Sequence, residues 1–231
     1  MSYDQSLLLD LLHRPPPDKD RLRADHRSHL VSQRTAADYF IDGLQIHCPA
    51  NIYHPQIGSS SLFLLSHLKQ CHFDSEPLVL EMGVGCGAVL LGLANFLGKG
   101  VYCGADISLR AVHAFLKNAD RNGIVVEGVE SDLFLQLRPQ LFDVIIFNPP
   151  LYDKVTDDPV EKMLLCDPGG ELLSRFLCQL PTWLSPGGAA YLVVSNITYP
   201  GIFDDLPGDH EYISAELLPS GFVRALLRIS Y

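Results

Sequence analysis

From residue 78 onward, short apolar runs alternate with amphipathic segments, a pattern that few folds accommodate. Strands are predicted at residues 78–82, 101–105, 124–127, 142–147 and 188–194. Helices are predicted near residues 87–97, 109–121 and 171–184. Such alternation is typical of a parallel sheet that helices cover on both faces. With 231 residues, 47% of them hydrophobic, the chain is long enough for one α/β domain but short for two.

The end of the chain adds two further strands, at residues 211–218 and 221–230. Only Pro219 and Ser220 separate them, and so short a link has no room for a crossover helix. These two strands are therefore expected to be antiparallel neighbours. The predicted fold is Rossmann-like, with a seven-stranded, mostly parallel sheet that ends in an antiparallel hairpin.

The amino-terminal part of the chain follows a different pattern. Residues 4–13 suit a short amphipathic helix, which three prolines at positions 15–17 would end. Residues 18–42 are rich in Arg, Asp and His and suit one or two exposed helices. His26 and His29 have a spacing that can bind a metal, but no matching Cys or carboxylate pair accompanies them, and a solvated helix face is favoured. We predict a helical appendage or lid over residues 1–43 and one catalytic domain over residues 44–231.

A glycine-rich turn follows the first predicted strand of the parallel sheet. Gly83, Gly85 and Gly87 allow the backbone to turn sharply and to approach a ligand closely. The same residues also fit a degenerate dinucleotide-binding pattern, so their spacing suits both NAD and S-adenosylmethionine. Asp106, nineteen positions after Gly87, ends the next strand, where a carboxylate can accept both ribose hydroxyls. The alternative role for Asp106 is that of a helix cap before Ser108.

The segment after the third strand, residues 131–134, reads Ser-Asp-Leu-Phe and favours one of these two cofactors. The Asp132 carboxylate can accept the exocyclic amine of adenine, and Leu133 can cover the ring. An acidic residue here has little use in a pyrophosphate site. The Tyr-x-x-x-Lys pairing that hydride transfer often uses is also missing. S-adenosylmethionine is therefore the predicted cofactor and NAD the alternative.

Asn148, Pro149 and Pro150 stand at the carboxyl end of the strand at residues 142–147, where open α/β sheets bind their ligands. Neither proline has an amide hydrogen, so this edge offers carbonyl oxygens in a rigid arrangement. An amide or amine nitrogen suits such an edge. It can donate to the Asn148 side-chain oxygen and the Pro149 carbonyl, which stabilise positive charge developing on nitrogen. A turn that only ends the strand is the alternative.

These motifs, taken in order, resemble the methyltransferase small-domain group of class I methyltransferases, over about residues 44–231. This group includes protein-glutamine N5-methyltransferases and rRNA guanine-N2 methyltransferases. The resemblance implies that Glu81 and the glycines surround the methionine part of S-adenosylmethionine. It implies the remaining roles as well: ribose and adenine binding by Asp106, Ile107, Asp132 and Leu133, acceptor binding by Asn148 and Pro149, and further substrate contacts from Pro150, Tyr152 and Tyr53. Leu151 stands where many members have an aromatic residue.

The formal net charge of −10 disfavours nucleic-acid substrates, since binding to phosphates normally needs clustered Lys and Arg. The predicted acceptor is therefore a protein glutamine or a small molecule with an amide or amine nitrogen. Residues 157–171 form an acidic loop, interpreted either as a steering surface for cationic substrates or as a solvated connection.

Three alternatives remain open: an rRNA or DNA base methyltransferase acting on guanine N2 or adenine N6, an NAD-dependent oxidoreductase, and a binding protein without catalysis. No apolar run suggests a signal peptide or a membrane span, and single cysteines suggest reduced thiols rather than a metal site. We expect a cytoplasmic enzyme.

Overall fold

The computed structural model describes residues 5–16 and 19–231, with the backbone alone described for residues 19–25. The α-helices are α1 (Gln5–His13), α2 (Lys19–Ser32), α3 (Ser60–Leu68), α4 (Ala88–Leu97), α5 (Leu109–Arg121), α6 (Pro159–Leu165) and α7 (Glu171–Gln179). The strands are β1 (Ala37–Ile41), β2 (Leu44–Cys48), β3 (Leu78–Met82), β4 (Val101–Asp106), β5 (Glu127–Glu130), β6 (Phe142–Phe147), β7 (Leu184–Ser195), β8 (Asp209–Leu217) and β9 (Val223–Ser230). Short 3₁₀ turns follow α6, α7 and β7.

Seven strands form one sheet in the order β5-β4-β3-β6-β7-β9-β8. The pairs among β3, β4, β5, β6 and β7 are parallel, whereas β9 runs antiparallel to both β7 and β8. The predicted seven-stranded sheet with a carboxyl-terminal hairpin is therefore confirmed. The chain passes from β3 outward to β4 and β5 and then returns to β6 on the other side of β3. This reversal opens a crevice at the carboxyl ends of β3 and β6.

Apolar residues fill both faces of the sheet, as the near-continuous hydrophobic runs require. In β6, Val144 and Ile146 point to the face covered by α3, α4 and α5, while Ile145 and Phe147 point to the face covered by α1 and α7. The strand is thus fixed between two cores, and its carboxyl end has little freedom to move. That rigidity places residues 148–150 at a defined position.

The structure corrects three of the predicted elements. The strand predicted at residues 124–127 begins at Glu127, because Ile124 and Val126 pack against the core below α5 before pairing with β4 starts. The helix predicted to reach residue 184 ends at Gln179, and a 3₁₀ turn that contains Pro181 follows. Residues 37–41 form a strand rather than helix, paired antiparallel with β2.

Helix α1 belongs to the core of the protein, although the sequence suggested only an appendage. Leu8 and Leu12 are buried within the same apolar cluster as α7. The Gln5 side chain forms two hydrogen bonds with the backbone of Tyr212 in β8, of 2.8 and 3.0 Å. The helix is therefore attached to the sheet by both apolar and polar contacts.

The hairpin of β1 and β2 lies beside α5, where two amide side chains, Asn118 and Asn122, each form hydrogen bonds with both backbone groups of one residue of β2. Asn118 is 1% exposed, and its amide group bonds both backbone groups of His47 in β2. Its nitrogen also donates to the carbonyl of Cys86, within the glycine-rich turn. Asn118 thus connects the hairpin directly to the predicted cofactor loop.

All six cysteines have free thiols, and those at positions 48, 86, 103 and 166 are buried. Within the described part of the chain, none of the helices has the length and apolar character needed to cross a bilayer.

Candidate active site

A cavity of about 780 Å³ opens at the carboxyl ends of β3, β4 and β6, where the strand order reverses. Its volume lies within the range of about 300–1,000 Å³ that small-molecule sites occupy. Twelve of the thirteen predicted site residues line this cavity: Tyr53, Glu81, Gly83, Gly85, Asp106, Ile107, Asp132, Leu133, Asn148, Pro149, Pro150 and Tyr152. The structure therefore brings together residues that are up to 99 positions apart in the sequence.

The glycines of the turn have different surroundings. Gly83, Gly85 and Gly87 all have positive φ, between 56° and 83°, which L side chains rarely adopt. At Gly85 a Cβ would find only Ile52 within 4 Å, so this position is open toward the cavity. Gly87 lies outside the lining, begins α4 as its N-cap, and is pressed against the ring of Phe115. Gly87 thus contributes to the packing of α4 against Phe115 and not to the surface of the cavity.

Glu81 projects from β3 below the glycine-rich turn and is only 3% exposed. Its Oε2 accepts the amide hydrogen of Leu90, at 2.9 Å, in the first turn of α4. The Glu81 side chain therefore caps the amino terminus of α4, because the N-cap residue Gly87 has no side chain that could do so. Burial raises the pKa of Glu81 well above its usual range, although the Leu90 amide opposes this shift.

The Asp106 carboxylate, at the end of β4, organises the same turn. Its Oδ2 accepts from the Gly85 amide and its Oδ1 from the Ser108 amide, both at 2.9 Å. Burial raises the pKa of Asp106, and these two bonds partly counteract the effect. Ser108, rather than Asp106, is the N-cap of α5. Ile107 lies between them with 64% of its surface exposed, on the cavity lining.

Asp132 and Leu133 form the side of the cavity that follows β5. The Asp132 carboxylate forms an ion pair with Arg175 of α7 at 2.8 Å through Oδ2. Leu133 is buried and adopts a left-handed φ of 50°, stabilised by a hydrogen bond from Ser131 Oγ to its carbonyl. The ion pair fixes the Asp132 side chain at the mouth of the cavity.

Asn148 is the residue with the clearest unfulfilled hydrogen-bonding capacity. Its Nδ2 donates to Ser61 Oγ at 3.3 Å. Its Oδ1 is buried and has no partner among the described residues. Because a buried carbonyl without a donor is costly, this atom marks a place where a ligand with an N–H group is expected to bind.

Tyr53 and Tyr152 both reach the cavity with their rings partly covered. The Tyr53 hydroxyl accepts from the Ser60 amide at 3.3 Å, at the start of α3. The Tyr152 ring packs against the imidazole of His26, with ring centroids 4.6 Å apart. The ammonium of Lys154 lies 5.9 Å from the centre of the same ring.

Helix α2 forms one wall of the site, which was not predicted from the sequence. His26 and His29 line the cavity instead of forming a solvated face. His26 Nε2 lies 2.7 Å from Glu161 Oε1 in α6, and Arg34 forms an ion pair with Asp158. The His26-x-x-His29 spacing was the only signal of this wall, since it places both rings on one side of a helix.

The acidic loop at residues 157–171 forms more hydrogen bonds within the protein than a steering surface or a solvated connection would require. Asp158 caps α6, and Asp167 accepts the first amides of α7. Burial would raise the pKa of Glu161, but hydrogen bonds from Lys154, Thr156 and His26 outweigh it and lower the pKa to about 2. Glu161 thus joins α6 to α2 through His26, and Asp158 joins α6 to Arg34, just after α2.

Comparison with known proteins decides the family. The family model described as methyltransferase small domain matches residues 44–216. The chain belongs to the methyltransferase small-domain family. Family membership confirms the prediction of an S-adenosylmethionine-dependent methyltransferase.

Two relatives of this methyltransferase have different named acceptors. A protein of Methanocaldococcus jannaschii, named as a candidate protein N5-glutamine methyltransferase, is 31% identical over 83% of this chain and 92% of its own length. Ribosomal RNA small subunit methyltransferase C of Alcanivorax borkumensis is 27% identical over 92% of this chain and 58% of its own.

Solved structures show the same fold. The 16S rRNA N2 G1207 methyltransferase of Thermus thermophilus, in complex with AdoMet and guanosine, superposes with a TM-score of 0.64 at 21% identity. The match covers 84% of this chain and 50% of that one, so the chain spans about half the length of this neighbour. At this identity the likeness concerns the fold.

The cavity of this methyltransferase brings together the residues predicted for the cofactor and those predicted for the acceptor. Gly85, Asp106 and Leu133 line it, and so does Asn148, whose Oδ1 has no partner among the described residues. A cofactor and an acceptor that bind in one cavity meet the condition for rate enhancement by proximity.

Proposed function

We propose that this protein transfers a methyl group from S-adenosylmethionine to the side-chain amide nitrogen of a protein glutamine. The observation that carries the proposal is the buried, unpartnered Oδ1 of Asn148. An amide N–H group satisfies this oxygen, and Pro149 beside it has a carbonyl but no competing amide hydrogen. The relative from M. jannaschii, which matches almost along its whole length, supports the choice of glutamine.

The cofactor contacts are part of the proposal. Gly83, Gly85 and Glu81 surround the methionine part, Asp106 and Ile107 hold the ribose, and Asp132 with Leu133 borders the adenine. Gly87 serves the same site by starting α4 at the required position. We assign the predicted lid over the domain at residues 44–231 to α2, whose His26 and His29 line the cavity, while α1 packs in the core. The family match begins at residue 44. Strand β1 joins the two parts by pairing with β2.

The chain's own residues orient and stabilise the acceptor. Bound S-adenosylmethionine supplies an electrophilic methyl group, whose transfer to nitrogen breaks its bond to sulfur and leaves a neutral thioether. Asn148 Oδ1 and the Pro149 carbonyl accept the N–H hydrogens and so direct the nitrogen lone pair toward that methyl group. The same dipoles stabilise the positive charge that develops on nitrogen, which then loses a proton to water.

Charge supports a protein acceptor over RNA. Among the described residues that line the cavity, Lys162 and Arg224 have a permanent positive charge, and Arg224 is paired with Glu216 at 2.6 Å. With a net charge of −10, the protein has little capacity to displace counterions from a phosphate backbone. The rRNA methyltransferase among the relatives makes guanine N2 the second candidate acceptor.

The proposal is tested by incubating the protein with methyl-tritiated S-adenosylmethionine and a cell extract separated into protein, RNA and small-molecule fractions. We expect enzyme-dependent label in the protein fraction. We also expect Asn148→Ala to lose nearly all transfer while its affinity for S-adenosylmethionine stays within a few-fold of the wild type. Label confined to RNA would support the second candidate, and label confined to small molecules would exclude a protein acceptor.

A further inference from the structure

His29 lines the same cavity as Asn148 and has a second buried polar atom without a partner among the described residues. Its ring belongs to α2, outside the region that the family model matches. The Nε2 atom is buried and has no hydrogen-bond partner among the described residues. The mechanism outlined above makes no use of this atom.

The other ring nitrogen determines which hydrogen-bonding group His29 offers. Its Nδ1 lies 2.6 Å from the amide nitrogen of Gln56. An amide nitrogen only donates, so Nδ1 is the acceptor. Burial lowers the pKa of His29 to about 4, and the neighbouring His26 and His54 add to the effect. The ring is therefore neutral at pH 7, and its single hydrogen is on Nε2.

The residues that line the cavity thus include one buried acceptor without a partner, Asn148 Oδ1, and one buried donor without a partner, the Nε2–H of His29. A primary carboxamide has the complementary pair, an N–H and a carbonyl oxygen on the same carbon. An amine has no carbonyl to match the donor. We propose that His29 binds the carbonyl oxygen of the substrate carboxamide while Asn148 binds its N–H group, so that the site selects amides over amines. This inference rests on the proposed function.

The imidazole of His29 is held in place from several sides. Its ring packs against Tyr53, with centroids 5.1 Å apart. Gln33, at the end of α2, is fully buried and accepts the amide hydrogen of His54, which fixes the helix to the segment that contains Gln56. A donor fixed in this way loses little freedom on binding, which favours selectivity.

A donor on the carbonyl oxygen also assists the chemistry of an amide. After the methyl group has been transferred, loss of the proton from nitrogen restores the amide resonance, which places partial negative charge on the carbonyl oxygen, and a hydrogen bond from His29 stabilises that charge. The nitrogen forms its bond to the methyl carbon, the carbon–sulfur bond breaks, and the released proton goes to water. His29 keeps its own hydrogen throughout.

The first experiment compares His29→Phe with His29→Gln in methyl transfer to a glutamine-containing peptide. The phenyl ring preserves the packing on Tyr53 but removes the donor, so we expect KM for the peptide to rise about tenfold. Glutamine restores a donor and is expected to recover part of this loss. The affinity for S-adenosylmethionine should be unchanged in both variants. Equal KM for the wild type and His29→Phe would overturn the inference.

The second experiment does not depend on turnover. Nitrogen-15 spectra of the histidine rings in the wild-type protein, assigned by the loss of one signal in His29→Phe, report the tautomer directly. We expect a neutral Nε2–H ring at pH 7. Its signal should shift when acetylglutamine methylamide is added with S-adenosylhomocysteine, but not with the leucine analogue.

These two readouts separate the inference from the proposed function. If the wild type labels no glutamine peptide but the His29 signal shifts with acetylglutamine methylamide, the proposed function fails and the carboxamide site stands. If the peptide is labelled while His29 is an Nδ1–H tautomer or shows no shift, the proposed function stands and the inference is wrong. A shift with guanosine instead would also contradict the inference.

Discussion

Asp106 combines two tasks in one side chain. Each of its oxygens accepts one backbone amide hydrogen, from Gly85 and from Ser108, and the carboxylate lines the cavity at the same time. Every carboxylate oxygen has two lone pairs, so each can still accept a ribose hydroxyl. The residue that we propose to bind the cofactor therefore also shapes the glycine-rich turn beside it.

Replacing Asp106 by Asn tests this double role. The new amide group directs a donor at one of the two backbone amides, so we expect the Kd for S-adenosylmethionine to rise at least tenfold, or by about 1.4 kcal/mol. Isothermal titration measures the change. Ser108→Ala is the matched control, since it removes the N-cap of α5 and costs about 1 kcal/mol of stability without weakening binding. Normal binding by Asp106→Asn would remove the proposed ribose contact.

Gly85 and Gly87 form a second matched pair. A Cβ at Gly87 would collide with the Phe115 ring and has an unfavourable φ, so Gly87→Ala is expected to lower the free energy of unfolding by about 3 kcal/mol. A Cβ at Gly85 would contact only Ile52, so Gly85→Ala should lower the free energy of unfolding by about 1 kcal/mol. The same substitution should weaken S-adenosylmethionine binding strongly. Denaturant unfolding measures the loss of stability in each variant, and isothermal titration measures the loss of affinity for S-adenosylmethionine. The reverse order of effects would mean that Gly87 is the binding glycine.

At the scale of elements, His29 links α2 to the segment that contains Tyr53 and Gln56. The pKa of His29 is lowered to about 4 by burial and by the nearby His26 and His54, with Tyr53 and Gln56 as its other neighbours. The unfolded chain takes up a proton near pH 6.5, whereas the folded ring stays neutral. The resulting stability is present above pH 6.5 and is lost as the pH falls toward 4.

This linkage predicts a measurable dependence of the unfolding free energy on pH. Between pH 6.5 and pH 4 the wild type should lose on the order of 3 kcal/mol of unfolding free energy that His29→Phe does not lose. Glu161 acts in a lower window, from about pH 4.5 down to 2, because its pKa is also lowered. The raised pKa values of Glu81 and Asp106 affect both proteins equally and cancel in the difference. Parallel curves for the two proteins would show that the pKa of His29 is the same in the folded and unfolded chains.

The elements differ in how far the sequence could predict them. Helix α5 was predicted at its observed bounds because Ser108 caps it and its apolar residues recur with helical spacing. Strand β1 was missed because its burial alternates and its only partner in the sheet ladder is β2. The role of α2 was missed because the residues that orient its histidines, Gln56 and Glu161, are 27 and 135 positions away.

The candidate site was easier to predict than its lid. Asn148, Asp106 and the glycines each follow a buried strand, and parallel strands bring their carboxyl ends to one edge of the sheet. The ion pair between Asp132 and Arg175 had no comparable signal, because it depends on how α7 lies across that edge. The residues that line the cavity could therefore be predicted from local sequence, whereas contacts between distant elements required the structure.

At the scale of the whole molecule, α1 contributes to stability rather than to the site. Leu12 is 1% exposed within the apolar cluster, so Leu12→Ala is expected to lower the free energy of unfolding by about 2–4 kcal/mol. Leu7→Ala on the same helix serves as control, since Leu7 is 58% exposed and its change should stay within about 0.5 kcal/mol. Methyl transfer at saturating substrate should be unaffected in both. Equal stability losses would place α1 outside the core.

The overall charge bears on the choice of acceptor. A protein with a net charge of −10 repels a phosphate backbone, so binding to RNA, if it occurs, needs a local basic surface. The described cavity lining offers few permanent cations, and its buried side-chain atoms without a partner are one acceptor and one donor. The net charge of the protein and the groups that line its cavity thus both favour a neutral amide on a protein as the acceptor.

The most direct test of this account is the position of the transferred methyl group. Protein labelled with methyl-tritiated S-adenosylmethionine is hydrolysed in strong acid, which cleaves side-chain amides, and the volatile bases are collected. Methylation on a glutamine nitrogen predicts that the label is released as methylamine and that Asn148→Ala releases none. Label that stays on a non-volatile methylated lysine or arginine, or on guanine in the RNA fraction, would contradict the account.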